Sequence, residues 1–312
     1  MMNSKSIKFP KRAWIYFTEM FPIIVYLPFV IAMYACMSFT VQSLGSEIVI
    51  DCYFVTGIIS AFFMMLLIRN FDDLKDYELD KKIFPNRPIP RGDVKKSDIQ
   101  LMAFSSFIIV LLANAIFAQK TLVVFLVMIV YALLTYKWFF AEKFHRSHVF
   151  FTMFTHQPLP IIINFFLIHT ALASGTNYEV FSLKYFFVLL LFSFPVTIWE
   201  TSRKIRSADM ETEYETFSRF LGARNATLIP IILIFLTSIL GVYFGLQLNL
   251  GVSFYIILLV LLVGVAFFYI RFFVKPTNEN NLLKSVSMAF AGIFFLNLLA
   301  HIIAVKQIIL LT

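Results

Sequence analysis

Four aspartates, Asp72, Asp73, Asp76 and Asp80, stand close together just after an apolar run that ends near residue 69. On a helix continuing from that run, Asp72, Asp76 and Asp80 recur every four residues and Asp73 lies three before Asp76. Such spacings bring carboxylates onto one face as near neighbours. Like charges so placed repel, and a bound cation relieves the repulsion. Carboxylate oxygens are hard ligands that suit magnesium, an ion that takes one or two of them and completes its shell with water and substrate phosphates. Lys75, Lys81 and Lys82 are near enough to pair with the same carboxylates, so a solvated acidic helix end is the competing reading. Two features favour chemistry. The aspartates abut an apolar segment, and they are followed by Arg87-Pro88-Ile89-Pro90-Arg91-Gly92, whose prolines stiffen a loop and whose arginines offer planar forks to phosphate.

The elements that must position these groups are membrane spans. Of the 312 residues, 60% are hydrophobic and 14% are charged, and a soluble domain of this length does not conceal so much apolar surface. With about 20 apolar residues needed per span, nine segments qualify: 15–42, 49–69, 98–117, 120–140, 149–172, 181–200, 225–246, 250–272 and 283–306. The first follows Lys5, Lys8, Lys11 and Arg12 but is too long for a signal sequence and lacks a small-residue cleavage site, so it reads as a mature helix. With the N-terminus cytoplasmic, 23 of the 26 basic residues fall on the inner side, leaving only Lys120, Lys184 and Lys306 outside. That asymmetry fixes the expected orientation. The net charge of +8 then reports topology and the bilayer surface, and no nucleic-acid partner is expected. Cys36 and Cys52 sit in apolar runs without metal or disulfide spacing.

The acidic cluster resembles the first motif of the UbiA-type superfamily of intramembrane prenyltransferases, Asn-Asp-x-x-Asp-x-x-x-Asp followed by Arg-Pro. Asp72, Asp73, Asp76 and Asp80 match its acidic positions, with Asp72 in place of the usual Asn, and Arg87-Pro88 matches the trailing pair. The resemblance also implies nine helices, and so covers the whole chain. It implies magnesium held by Asp72, Asp73, Asp76 and Asp80, an isoprenyl diphosphate substrate gripped by Arg87 and Arg91, and a lipophilic or aromatic acceptor.

The family's second motif is usually Asp-x-x-x-Asp ahead of a segment ending near Leu-Gly. Counting back from Leu221-Gly222 puts Asp209 at the second Asp but Ile205 at the first. The missing ligand is supplied by Glu200, or Glu200 is instead a helix-end partner of Arg203 or Lys204. The preferred reading makes Glu200 a metal ligand or lysine-orienting group, with Arg203 and Lys204 on the diphosphate and Asp209 as a further metal candidate. Lys137, ending the fourth segment, resembles the basic residue of the family's Tyr-x-x-x-x-Lys region and meets phosphate, or else snorkels to the interface. Polar groups at membrane depth are functional candidates by default; here these are Glu19, His156, Gln157 and Asn164. His156 and Gln157, ahead of Pro158 and Pro160, bind the acceptor or position a base, or simply join helices.

The expected fold is therefore all-α, a single polytopic domain over 1–312 with a cavity open toward the cytoplasmic side. The leading function is magnesium-dependent prenyl transfer within the bilayer. Terpene cyclisation on the same scaffold and a transport role remain as alternatives; charges gathered on one side, with few through the spans, speak against transport.

Overall fold

The computed structural model describes residues 8–45, 47–174, 182–211 and 216–310, except the side chains of Arg146, Val149, Phe150 and Met153. Lys5 and most of the expected outer connection 174–178 lie outside the described residues. The chain forms α1 (Phe9–Glu19), α2 (Ile23–Ser43), β1 (Ile48–Ile50), α3 (Cys52–Lys75), α4 (Tyr77–Ile83), α5 (Lys96–Phe117), α6 (Leu122–Tyr136), α7 (Glu142–Ser147), α8 (Val149–His156) and α9 (Pro158–Ala173). It continues through α10 (Leu183–Ser202), α11 (Phe217–Leu221), α12 (Ala223–Gln247), α13 (Val252–Val274), α14 (Leu283–Val305) and β2 (Ile308–Leu310). Among the described residues, eight helices are long and apolar enough to cross a membrane.

Three boundaries differ from the sequence reading, each with a local cause. The expected first segment is two elements, because the residue before Pro22 is biased away from helix and α1 stops at Glu19. The expected fifth segment divides at Gln157 into the eight-residue α8 and the sixteen-residue α9. Pro158 occupies the first position of α9, where its missing N–H costs nothing, and it excludes Gln157 from the preceding helix. The expected fourth segment stops at Tyr136, where Trp138, Phe139 and Phe140 take φ of 51°, 49° and 59°. Three consecutive side-chain-bearing residues in the left-handed region cannot continue a helix.

Two compact units emerge. One comprises Met1–Tyr34 and Asp51–Leu159, the other Ala35–Ile50 and Pro160–Thr312. In the first, α3 packs most extensively on α5. Asp51 caps α3 by accepting from the Phe54 amide at 3.0 Å. The Asn114 amide of α5 donates to Ser60 of α3 at 2.8 Å, a polar bond between apolar helices. A Cβ at Gly57 would overlap the buried Tyr34 ring, so glycine is required for that approach. In the second unit α10 packs on α12 and α14, and α13 contacts both of those helices. Its interior polar bonds include Asn164 to Ser193 at 3.1 Å and Ser202 with Tyr269 at 2.6 Å. The short strands pair in parallel, Ile48 opposite Ile308.

Candidate functional site

The acidic motif sits where α3 gives way to α4. The helix does not run unbroken through all four aspartates, as the spacing suggests. Asp76 leaves helical geometry (φ −97°, ψ 11°), so Asp80 belongs to a separate seven-residue helix. Repulsion between stacked carboxylates opposes a continuous helix here, and Asp80 turns to a different partner. Arg87 donates to it at 2.8 Å while its guanidinium lies over the Phe84 ring, 3.8 Å from the centroid. The 87–94 loop closes on itself: the Asp93 and Val94 amides both donate to the Pro88 carbonyl, and Gly92 holds φ at 90°, a conformation that glycine alone adopts readily.

Asp73 is the deeply placed member of the set, 4% exposed. One of its oxygens accepts from the Tyr16 phenol at 2.8 Å and the other meets Arg69 Nη2 at 2.9 Å. Burial, reinforced by the adjoining Asp73 charge, pushes the Tyr16 phenol up and keeps it a donor. Asp72, by contrast, has a side chain 54% exposed, with Lys75 Nζ 4.0 Å away. The Lys75 ammonium also caps the Trp138 ring at 4.3 Å. Among the described residues, no three His, Cys, Asp or Glu side chains are grouped as a ready metal cage.

Beside this motif lies a cleft of about 450 Å³ lined by Glu19, Met20, Arg69 and the stretch Ile83–Pro88. It brings Arg69, Asn86 and Arg87 to one wall system. Arg69, Tyr16 and Asn86 were not singled out by the sequence reading. The i, i+4 spacing of Arg69 and Asp73 was a usable signal; Tyr16, 57 residues from its partner, left none. Glu19, at the cytoplasmic start of the first expected segment where it could also face headgroups, ends α1 and accepts both Nη1 and Nη2 of Arg91 at 3.0 and 2.7 Å. Arg91 also binds Asp93, so two carboxylates already face the guanidinium expected to meet phosphate. Arg12, one turn before Tyr16, forks onto Asp98 at 2.7 and 2.8 Å.

The remaining expected residues of this unit are placed as follows. Lys137 caps α6, exposed, with its ammonium 5.0 Å from the Tyr136 ring centre. His156 is engaged by backbone carbonyls, Thr152 at 2.9 Å and Thr135 of α6 at 3.2 Å, and its ring meets Trp138, Phe139 and His145. The Thr135 contact links α8 to α6. Gln157 is the half-buried residue at the break between α8 and α9.

In the second unit, Glu200 receives both Nε (3.0 Å) and Nη2 (2.7 Å) of Arg203 on one oxygen. Lys204 follows, half-buried, and its carbonyl accepts from the Phe217 amide at 2.8 Å. Asp209 is exposed on a single 3₁₀ turn. Glu211 is clasped by Thr216 and Ser218, and Ser218 in turn accepts from the Arg206 amide at 2.8 Å. This arrangement holds the backbone that carries Lys204 and Arg206.

With the geometry in view, comparison with known proteins gives a consistent picture. The family profile described as the UbiA prenyltransferase family matches residues 26–299. Among solved structures, the fold is similar to one reported for digeranylgeranylglyceryl phosphate synthase in membranes. The TM-score is 0.63 at 14% identity, covering 94% of this chain and 99% of that one. It is also similar to the apo structure of a UbiA homolog from Aeropyrum pernix K1, with TM-score 0.62, 13% identity and coverage of 86% and 97%. A search of curated protein sequences found no match.

Proposed function

The chain belongs to the UbiA prenyltransferase family and is an integral, multi-pass membrane protein; from that premise we propose that it transfers a prenyl group from an isoprenyl diphosphate to a lipophilic or aromatic acceptor, with magnesium, at the cytoplasmic side of the bilayer. The observation that carries this reading is the cleft at the end of α3, where Arg69 and Arg87 line one space next to the aspartates.

The donor set fits magnesium. Asp72 has a side chain 54% exposed beside Lys75 and Asp76 stands at the helix break, while Asp73 is held by Arg69 in the interior and Asp80 by Arg87. Two carboxylates match an ion that keeps waters and takes phosphate oxygens for the rest of its shell. Asp72 and Asp76 are therefore the ligands we assign. When bound, the ion neutralises diphosphate charge and eases its departure.

The chain's own residues do the remainder. Arg87, oriented by Asp80, faces the anion from the cleft wall, and Lys137 is assigned to the same anion from the end of α6; both stabilise charge as it develops on the leaving group. The bond between prenyl C1 and the diphosphate oxygen breaks, and its electron pair leaves with the diphosphate. An acceptor atom captures the allylic cation and then releases its proton. Burial of the prenyl chain in an apolar setting contributes about 0.8 kcal/mol per methylene, and exclusion of water protects the cation from hydrolysis. In the second unit, Glu200 fixes Arg203, and we assign Arg203 and Lys204 a phosphate-directed role.

The test is incubation of the purified protein with magnesium and geranyl, farnesyl or geranylgeranyl diphosphate, with and without quinone precursors. Diphosphate release with an adduct of the acceptor supports transfer. A cyclic hydrocarbon or alcohol formed without acceptor would replace transfer by cyclisation, and absence of both binding and turnover would defeat the enzymatic reading.

A further inference from the structure

Three polar side chains of α1 each end on a part of the proposed site or its surroundings. Arg12, Tyr16 and Glu19 lie on one face of the helix and reach Asp98, Asp73 and Arg91 respectively. Two of these are forked ion pairs that hold the helix in place. The third is different in kind. A neutral phenol donates to a carboxylate whose other oxygen holds a cleft-lining arginine.

Building on the proposed function, we propose that Tyr16 is a positioning residue for the diphosphate site, acting through Asp73 to set the Arg69 guanidinium as an anion-binding group in the cleft. The argument rests on donor accounting. A guanidinium presents five N–H donors in a rigid fork. On Arg69, Nη2 is bound by Asp73, and Nε is buried without a hydrogen-bond partner. The side chain is still 32% exposed and lines the cleft with Asn86 and Arg87. Asp73 thus grips the fork through Nη2 alone, and the exposed part of the side chain lines the cleft. Tyr16 makes that grip partial. By occupying Oδ2 it satisfies a buried oxygen that would otherwise seek a second donor from Arg69. Without the phenol, the carboxylate takes up Nε as well, and the guanidinium is drawn away from the cleft.

The experiment measures dissociation constants of inorganic pyrophosphate with magnesium in detergent-solubilised full-length protein, for wild type, Tyr16→Phe, Arg69→Gln, the double variant and Arg12→Gln. Arg69→Gln is expected to weaken binding about tenfold or more, the scale of a lost charge-assisted hydrogen bond. Tyr16→Phe should weaken it severalfold, and the double variant should be no worse than Arg69→Gln alone, because Tyr16 acts only through Arg69. Arg12→Gln, which removes an anchor of α1 but leaves the Tyr16 phenol and Asp73 present, should weaken binding less than Tyr16→Phe does. Should Tyr16→Phe not purify as a folded protein, Asp73→Asn takes its place with the same expected non-additivity. A Tyr16→Phe affinity equal to wild type overturns the relay, as does an additive double variant or an equal loss in Arg12→Gln. Wild-type protein that fails to bind pyrophosphate at all overturns the proposed function, and the relay with it.

Discussion

The two motif regions are built on opposite plans. Between the end of α3 and the start of α5, charged groups are held by partners brought in from α1: Tyr16 for Asp73, Arg12 for Asp98, Glu19 for Arg91. At the end of α10, Glu200 pairs with Arg203 three residues on, within one helical turn. A long-range contact between buried groups constrains backbone as well as side chains, so it gives a fixed geometry. A local pair on a partly exposed turn is worth little in stability and exchanges readily with a ligand's oxygens. The first region is accordingly a preorganised frame, with the largely exposed Asp72 beside Lys75 at its edge. The second keeps its charges in a pair that a phosphate can open.

Asp76→Ala should have the greatest effect. It removes an assigned magnesium ligand from the helix break, and magnesium-dependent turnover should fall by about a hundredfold or more while the thermal unfolding midpoint is retained. Near-normal turnover would remove Asp76 from the ligand set. Next in size is the contrast within the second region. Glu200→Gln should lower turnover roughly tenfold through loss of a charge-assisted pair that orients Arg203, whereas Asp209→Asn, on an exposed turn, should change it far less. The reverse ranking would return the acidic role to Asp209.

Stability separates the regions next. Arg12→Gln leaves Asp98, whose side chain is 5% exposed, without its forked partner, and its unfolding midpoint in detergent should fall further than that of Arg203→Gln. Equal shifts would erase the distinction between frame and local pair. Smallest of all is Arg91→Gln. With Glu19 and Asp93 both facing this guanidinium, its loss should alter pyrophosphate affinity much less than loss of Arg87, measured by the same titration. A comparable loss would restore Arg91 to the phosphate site.

Much of the architecture was legible because it depends on local composition. Apolar runs and the clustering of basic residues fix which segments enter lipid, since the bilayer penalises every unpaired polar group in the same way whatever the topology. Where the runs were misdivided, as at Pro22 and Pro158, the cause was a proline effect small against a hydropathy signal summed over twenty residues. The spacing of the aspartates allowed a cation site or a solvated acidic helix end alike, and only the resemblance of the cluster and Arg87-Pro88 to a family motif pointed to a diphosphate.

What tertiary structure alone decided is the division of labour inside that motif. Four carboxylates look equivalent in sequence, yet Asp73 is buried on Tyr16 and Arg69, Asp80 turns to Arg87, and Asp72 is largely exposed beside Lys75. Likewise, His156 has the residue type of a catalytic base, but its ring nitrogens face backbone carbonyls of Thr152 and Thr135. Residue type sets which partners a side chain accepts. Which partner arrives depends on contacts across tens of residues, and those form only when the helices pack.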